Sequence, residues 1–152
     1  MKKLPVDAKV EVDGTTYDIN EVYPDLRVDP VHIREQLTEQ AALYAYWSTL
    51  AEDAAILHDV AKRRVDYVES EIDAELRNEA RAVGEKLTEA IVQRRIVLDE
   101  RYQDKLDEMI TARRAAALLS IIRRSLEQRL SALIALNNRD RSEMSAGMGG
   151  GD

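Results

Sequence analysis

The stretch that decides the fold is residues 43–76, which read LYAYWSTLAEDAAILHDVAKRRVDYVESEIDAEL. Apolar side chains recur along it at spacings of three and four residues, which places them on one face of an α-helix. That face consists of Leu43, Trp47, Leu50, Ala54, Leu57, Ala61, Val65, Val68, Ile72 and Leu76. The alternation is a heptad repeat with one additional step of four near Ala61, which is a stutter. The stretch therefore predicts a long amphipathic helix with a coiled-coil-like packing face.

This helix is predicted to extend in both directions. Asp29-Pro30 marks its start, because Asp29 can accept a hydrogen bond from a first-turn amide and Pro30 suits the first helical position. Nothing breaks the helix until about residue 80, and Gly84 is either a turn or a soft point in one continuous helix. Tyr44 and nearby alanines widen the apolar face, which favours more than one partner helix.

A second long helix is predicted from about residue 86 to about residue 137. Its apolar face consists of Leu98, Tyr102, Leu106, Met109, Ala112, Ala116, Leu119, Leu126, Leu130 and Leu133. Ile110 and Ile121 lie elsewhere around this helix, which indicates contacts on more than one side. From residue 139 the chain is polar and ends in Gly-Met-Gly-Gly-Gly-Asp, which predicts a disordered tail.

A β-hairpin is predicted near the N-terminus. Asp13-Gly14 suits a type I′ turn, which needs positive φ at both central residues. Alternating apolar residues flank this dipeptide, namely Val10, Val12, Tyr17 and Ile19. Since a two-stranded hairpin is marginal alone, it must pack on the helices or pair with a neighbour.

Together these patterns predict a mainly α protein. Residues 1–28 form the hairpin segment, 29–138 a long-helix domain and 139–152 the disordered tail. The long helices form either a helical hairpin or a coiled-coil-like oligomer. Aromatic residues make up only 5% of the chain, so a lone copy buries little apolar area and oligomerisation would compensate. The residues predicted to pack in the oligomer are Leu43, Tyr44, Trp47, Leu50 and Leu57.

Composition excludes several classes of function. The chain has no cysteine, so disulfides, thiolate metal sites and cysteine nucleophiles are ruled out. His32 and His58 stand apart without metal-ligand spacing, and no glycine-rich phosphate loop occurs. No apolar run reaches transmembrane length, and the first residues lack the apolar stretch of a signal peptide. We expect a non-enzymatic cytoplasmic protein without metal or cofactor and without membrane contact.

The densest basic cluster is Lys62-Arg63-Arg64, followed by Tyr67. On a helical wheel Lys62 and Arg64 flank the apolar face on opposite sides, Arg63 points away, and Tyr67 lies beside Arg64. The cations could bind phosphates while a base stacks on Tyr67. Alternatively, their stems shield the seam and their charges pair with neighbouring carboxylates.

A second basic set lies on the other predicted helix. Arg95, Arg113 and Arg124 are separated by 18 and 11 residues, which places them within about 20° on an ideal wheel. This stripe could extend a nucleic-acid surface. Solubility and ion pairs within an oligomer are the alternative.

The joint pattern resembles the UvsY family of bacteriophage recombination mediator proteins. It consists of Gln40-Ala41-Ala42-Leu43-Tyr44-Ala45-Tyr46-Trp47, then Lys62-x-Arg64-Val65-Asp66-Tyr67, Lys86-Leu87-Thr88 and Ile96-Val97-Leu98-Asp99. The order and approximate spacing are alike over about residues 32–135, whereas the hairpin is extra. The resemblance implies a ring-like homo-oligomer that binds single-stranded DNA and helps a RecA-like recombinase replace the single-strand binding protein.

The family's DNA-binding motif maps onto Lys62 and Arg64. Arg63 departs from it by adding a cation, and the acidic first half of the chain is a further departure. Two other interpretations stay open. One is an oligomeric helical scaffolding or assembly protein that does not touch DNA, and the other is a small adaptor for one partner helix.

Overall fold

A computed structural model describes residues 8–148 of the 152-residue chain. The chain is mainly α with an N-terminal hairpin, which confirms the predicted fold class. The elements are β1 (Lys9–Val12), β2 (Thr15–Asp18), a 3₁₀ turn (Ile19–Val22), α1 (Tyr23–Leu26), α2 (Ile33–Val83), α3 (Glu89–Leu98) and α4 (Glu100–Met148).

The hairpin forms at the predicted dipeptide. β1 and β2 pair antiparallel with Val12 opposite Thr15, which leaves a two-residue loop. Asp13 has φ 49° and Gly14 has φ 74°, as a type I′ turn requires. Val10, Val12 and Ile19 are buried against the helices.

The first long helix begins at Ile33, three residues later than predicted. Asp29 does not cap it. Its carboxylate instead accepts a hydrogen bond from the amide of Val31 at 2.8 Å and lies 2.8 Å from Nδ1 of His32. Gln36 reaches back, and its Nε2 donates to the carbonyl oxygen of Asp29 at 2.7 Å. Asp29 therefore stabilises the turn that precedes α2.

Gly84 ends this helix, which settles the alternative in favour of a turn. Its φ of 73° is left-handed, and its amide donates to Arg81 O at 3.3 Å. The amide of Glu85 donates to Ala80 O at 2.8 Å. This pair of bonds is a Schellman motif, which glycine favours because it lacks a Cβ. Residues 84–88 form the connection to α3, which packs back along α2.

The second helix is not continuous, contrary to the sequence prediction. It divides at Asp99, whose ψ of 128° is extended. The Asp99 carboxylate accepts a hydrogen bond from the amide of Arg101 at 2.9 Å, so Asp99 caps α4. The Arg101 side chain also donates to Glu75 on α2 at 2.7 Å. The division therefore comes from an aspartate cap, with no glycine or proline present.

At its other end α4 extends to Met148, so residues 139–148 continue the helix where a disordered tail was predicted. The side chains of residues 139–146 are exposed along it. Residues 149–152, the end of that predicted tail, lie outside the described part of the chain.

The helices α2 and α4 run antiparallel, as shown by bonds from Gln40 to Leu126 near one end and from Arg101 to Glu75 near the other. The larger core cluster joins the hairpin to both helices. A smaller cluster, built on Ile72 with Val92 and Ile96 of α3, lies at the far end.

The packing residues predicted for an oligomer contact their own chain. Trp47 and Leu50 are buried in the larger cluster, and Leu43 and Leu57 pack against it. Tyr44 is 36% exposed, and its hydroxyl donates to Glu127 at 3.0 Å. Because the chain's own hairpin covers part of the apolar face, the width of that face does not require a second subunit.

The buried face of α4 also differs from the predicted one. Its buried apolar residues are Ala115, Leu119, Ile122, Leu126 and Leu133. Leu98, at the end of α3 where the predicted helix divides, is 74% exposed, and Leu130 on α4 is 38% exposed. Arg129 is buried beside this face, and its guanidinium donates to Arg27 O at 3.0 Å, to Gln36 Oε1 at 3.1 Å and to Gln40 Oε1.

Candidate nucleic-acid interface

An open groove of about 530 Å³ carries three of the chain's cations between α2 and α4, and we name it the basic groove. It is lined by Val60, Arg63, Arg64, Tyr67, Val68 and Lys105. The two valines provide apolar lining, and Tyr67 is 69% exposed. The groove therefore places cations and an accessible aromatic ring on one small surface.

The position of these side chains follows from helical spacing. Val60, Arg64, Tyr67 and Val68 recur at intervals of three and four residues, so they share one side of α2. Lys105 comes from α4, which returns antiparallel and brings residue 105 beside residues 60–68. Its Nζ forms an ion pair with Glu108 at 2.8 Å on the same helix.

The groove changes the predicted arrangement of the basic cluster. Arg63, predicted to point away, lines the groove together with Arg64 and Tyr67. Lys62 is exposed but does not belong to the lining. Lys105 is not predicted as a groove residue for two reasons. Its proximity to Arg63 and Arg64 depends on how α2 and α4 align, and the sequence next to it is acidic.

The second predicted set is not one stripe. Arg95 lies on α3, whereas Arg113 and Arg124 lie on α4, and the division at Asp99 separates the two helices. An ideal wheel cannot be continued across that division. All three side chains are exposed, but none of them lines the basic groove.

Acidic surface borders the basic groove on both sides. Toward the hairpin lies a larger groove of about 720 Å³, which we name the acidic groove. Its carboxylates are Glu11, Asp13, Asp104, Asp107 and Glu108. On the other side, Asp66, Glu69 and Asp73 line a smaller depression next to α3. The Lys105–Glu108 ion pair lies at the border between the basic and acidic grooves.

This arrangement suits a short segment of polyanion. Guanidinium and ammonium groups bind phosphate oxygens, and an exposed tyrosine ring can stack on a base whatever its identity. The acidic borders disfavour any continuation of a phosphate backbone along the same helix pair, because like charges repel. One chain can therefore engage only a few phosphates.

Within residues 8–148, no three or more histidine, aspartate or glutamate side chains are grouped so that they could hold a metal ion. None of the helices in this part of the chain has the length and apolar character needed to cross a membrane. His58, 28% exposed, has its Nδ1 4.0 Å from Asp59, which leaves it as a surface helix residue.

Comparison with protein-family models, curated proteins and solved structures finds no match to this chain.

Proposed function

We propose that this chain is a non-catalytic, single-stranded DNA-binding protein that acts as a homo-oligomer. We further propose that it is a phage recombination mediator of the UvsY type, which helps load a RecA-like recombinase on DNA covered by a single-strand binding protein. The basic groove is the observation that carries the proposal, because Arg63, Arg64 and Lys105 lie there with Tyr67.

The chemistry of the groove favours single strands over duplex DNA. An unpaired base can turn its face toward Tyr67, whereas the bases of a duplex are stacked on each other. The apolar side chains of Val60 and Val68 offer further contact for a base or sugar. Phosphate contacts then add affinity that is independent of sequence.

Affinity from one groove would be low, and this is why the proposal includes an oligomer. Three cations give about three phosphate contacts, so the logarithm of the binding constant should fall with the logarithm of salt concentration at a slope of about −2. Repeating the groove around a ring would raise the avidity by orders of magnitude. The resemblance to the UvsY family also implies such a ring.

The test is titration of a fluorescent single-stranded oligonucleotide, followed by anisotropy at several salt concentrations. The native chain should saturate at micromolar protein in low salt. Arg63→Ala combined with Arg64→Ala should weaken binding at least ~10-fold and make the salt slope less steep by about 1.4, because two phosphate contacts are lost.

A matched control is Lys86→Ala combined with Arg94→Ala, which removes the same charge from exposed positions outside the basic groove. It should bind like the native chain. Equal weakening by both double variants would show that only overall charge matters. Failure of the native chain to saturate, in a preparation that still self-associates, would refute DNA binding and favour the scaffolding alternative.

A further inference from the structure

One side of α4 has an exposed apolar surface that no element within residues 8–148 covers. Ile110 is 54% exposed and Ile121 60% exposed, and they are separated by 11 residues, or about three turns. Both lie roughly opposite the fully buried Leu119 around the helix. Arg113 and Arg124, also exposed, lie along one side of this line. We name these four residues the outer face of α4.

The acidic groove has the opposite character. The hairpin covers the valley between α2 and α4 only as far as its turn, and beyond that turn the valley stays open. The partly exposed Leu57 and Ala112 form the accessible apolar base of this open part, and the buried Ala54 and Ala115 lie beneath them. Small side chains there would let another helix approach closely. The acidic side chains named above surround this apolar base.

We infer that the outer face of α4 from one copy docks into the acidic groove of a second copy. The isoleucines would contact the apolar base, while Arg113 and Arg124 would meet carboxylates such as Asp104 and Asp107. Charge complementarity selects this occupant, because the two surfaces have opposite signs and both have apolar centres. The inference rests on the homo-oligomeric part of the proposed function and identifies the surfaces that form the contact.

A single chain cannot make this contact with itself. Ala112 and Ala115 line the acidic groove, whereas Arg113 and Ile121 of the same helix lie on its outer side. The outer face and the acidic groove can therefore contact each other only between two copies. Each copy that joins still has one outer face or one groove available for the next copy. Such a heterologous contact adds copies head to tail and closes into a ring if the rotation per copy permits.

Two pairs of charge reversals test the contact. Arg113→Glu with Arg124→Glu changes the outer face, and Asp104→Arg with Asp107→Arg changes the groove. Without DNA, sedimentation velocity should show self-association at least ~10-fold weaker for each double variant than for the native chain, because like charges then oppose each other. Circular dichroism should show unchanged helicity, since all four side chains are exposed.

Mixing the two double variants in equal amounts supplies the decisive result. In the mixture, the reversed outer face of the first variant fits the reversed groove of the second. The native outer face of the second variant fits the native groove of the first, so the mixture should regain the mass of the native assembly. Lys86→Glu with Arg94→Glu is the control for charge alone and should assemble normally. Any of three results would overturn the inference. The native chain could stay monomeric, the double variants could keep the mass of the native assembly, or the mixture could show no increase in mass over the separate variants. DNA titration is read separately, so failure of the contact and failure of DNA binding are distinguishable.

Discussion

Arg129 is a buried cation held by neutral acceptors. It is 6% exposed, and its hydrogen bonds go to the Arg27 carbonyl and to the amide oxygens of Gln36 and Gln40. Gln40 is itself buried and donates to Leu126 O at 2.8 Å. A single side chain of α4 thus joins the segment before α2 to the first turns of α2, and the polar groups satisfy one another.

Replacing Arg129 should therefore be costly. Arg129→Met keeps much of the side-chain volume but leaves the Gln40 oxygen and the Arg27 carbonyl without their donor. We expect the free energy of unfolding to fall by about 2 kcal/mol, the usual cost of a buried unsatisfied polar group. Urea denaturation measures it, with the exposed Arg141→Met as control. A loss no larger than that of the control would contradict this account.

The sequence predicts that the basic residues lie on α2, but it does not predict which other side chains line the same groove. A wheel built on one helix correctly put Tyr67 beside Arg64, because both belong to the same side of α2. It could not show that Arg63 lies within reach of the groove or that Lys105 completes it. Those facts depend on the alignment of α2 with α4, which is set by long-range packing.

Among the elements, the division between α3 and α4 is the feature that the sequence concealed. Neither glycine nor proline marks it, and Asp99 is one acidic residue among many on exposed helix surfaces. In the structure Ile96 of α3 is buried, whereas Leu98, a member of the predicted packing face, is exposed. The other breaks were predictable because Asp13-Gly14 and Gly84 need left-handed backbone, which is rare outside glycine, asparagine and aspartate.

Asp99→Ala should destabilise the start of α4. The hydrogen bonds that Asp99 accepts from Arg101 lower the pKa of its carboxyl group, so this residue is charged at neutral pH. Losing an N-cap of this kind should reduce the free energy of unfolding by about 1 kcal/mol at pH 7. Thermal unfolding followed by circular dichroism measures the change, and Glu100→Ala, one residue later, is the control.

Acid should remove the difference between Asp99→Ala and the native chain. A carboxyl group whose pKa is lower in the folded state stabilises the fold above its unfolded pKa, and that stabilisation is lost as pH falls through the folded value. The gap between the two proteins should therefore shrink as pH drops below the ordinary aspartate value of 3.8. A gap that stays constant down to pH 3 would show that the effect is not due to the charged cap.

For the whole molecule, the two core clusters predict unequal stability along the helix pair. The larger cluster combines the hairpin with α2 and α4, whereas the smaller one depends on Ile72, Val92 and Ile96. Exposed ion pairs, including Arg77 with Glu89 at 2.6 Å, hold the smaller end together, and such pairs contribute little. Less buried apolar surface means a lower free energy of opening.

Hydrogen–deuterium exchange read by mass spectrometry tests this directly. Amides of α3 should exchange at least ~10-fold faster than those of residues 115–126 at neutral pH, because α3 opens without disrupting the larger cluster. Val92→Ala should increase the rate in α3 and leave residues 115–126 unchanged. Equal protection in both regions would indicate a single cooperative unit instead.

The fold class was predictable for the whole molecule, whereas the elements that cover each apolar face were not. Periodicity identified two long helices, and alternation around Asp13-Gly14 identified the hairpin. The width of the apolar face of α2 suggests further subunits, yet the chain's own hairpin covers part of that face. A pattern of apolar residues reports that a face is covered, but which element covers it depends on topology.

The small extent of the basic groove has a consequence for how quickly a nucleic acid could arrive. The chain carries a net charge of −7, so its average field opposes the approach of a polyanion, and salt confines that repulsion to roughly the Debye length of about 8 Å. Attraction begins only when phosphates come within reach of Arg63, Arg64 and Lys105. In the proposed function, the net charge therefore slows the approach of a strand while the basic groove favours contact, which gives an advantage to strands that are already held nearby.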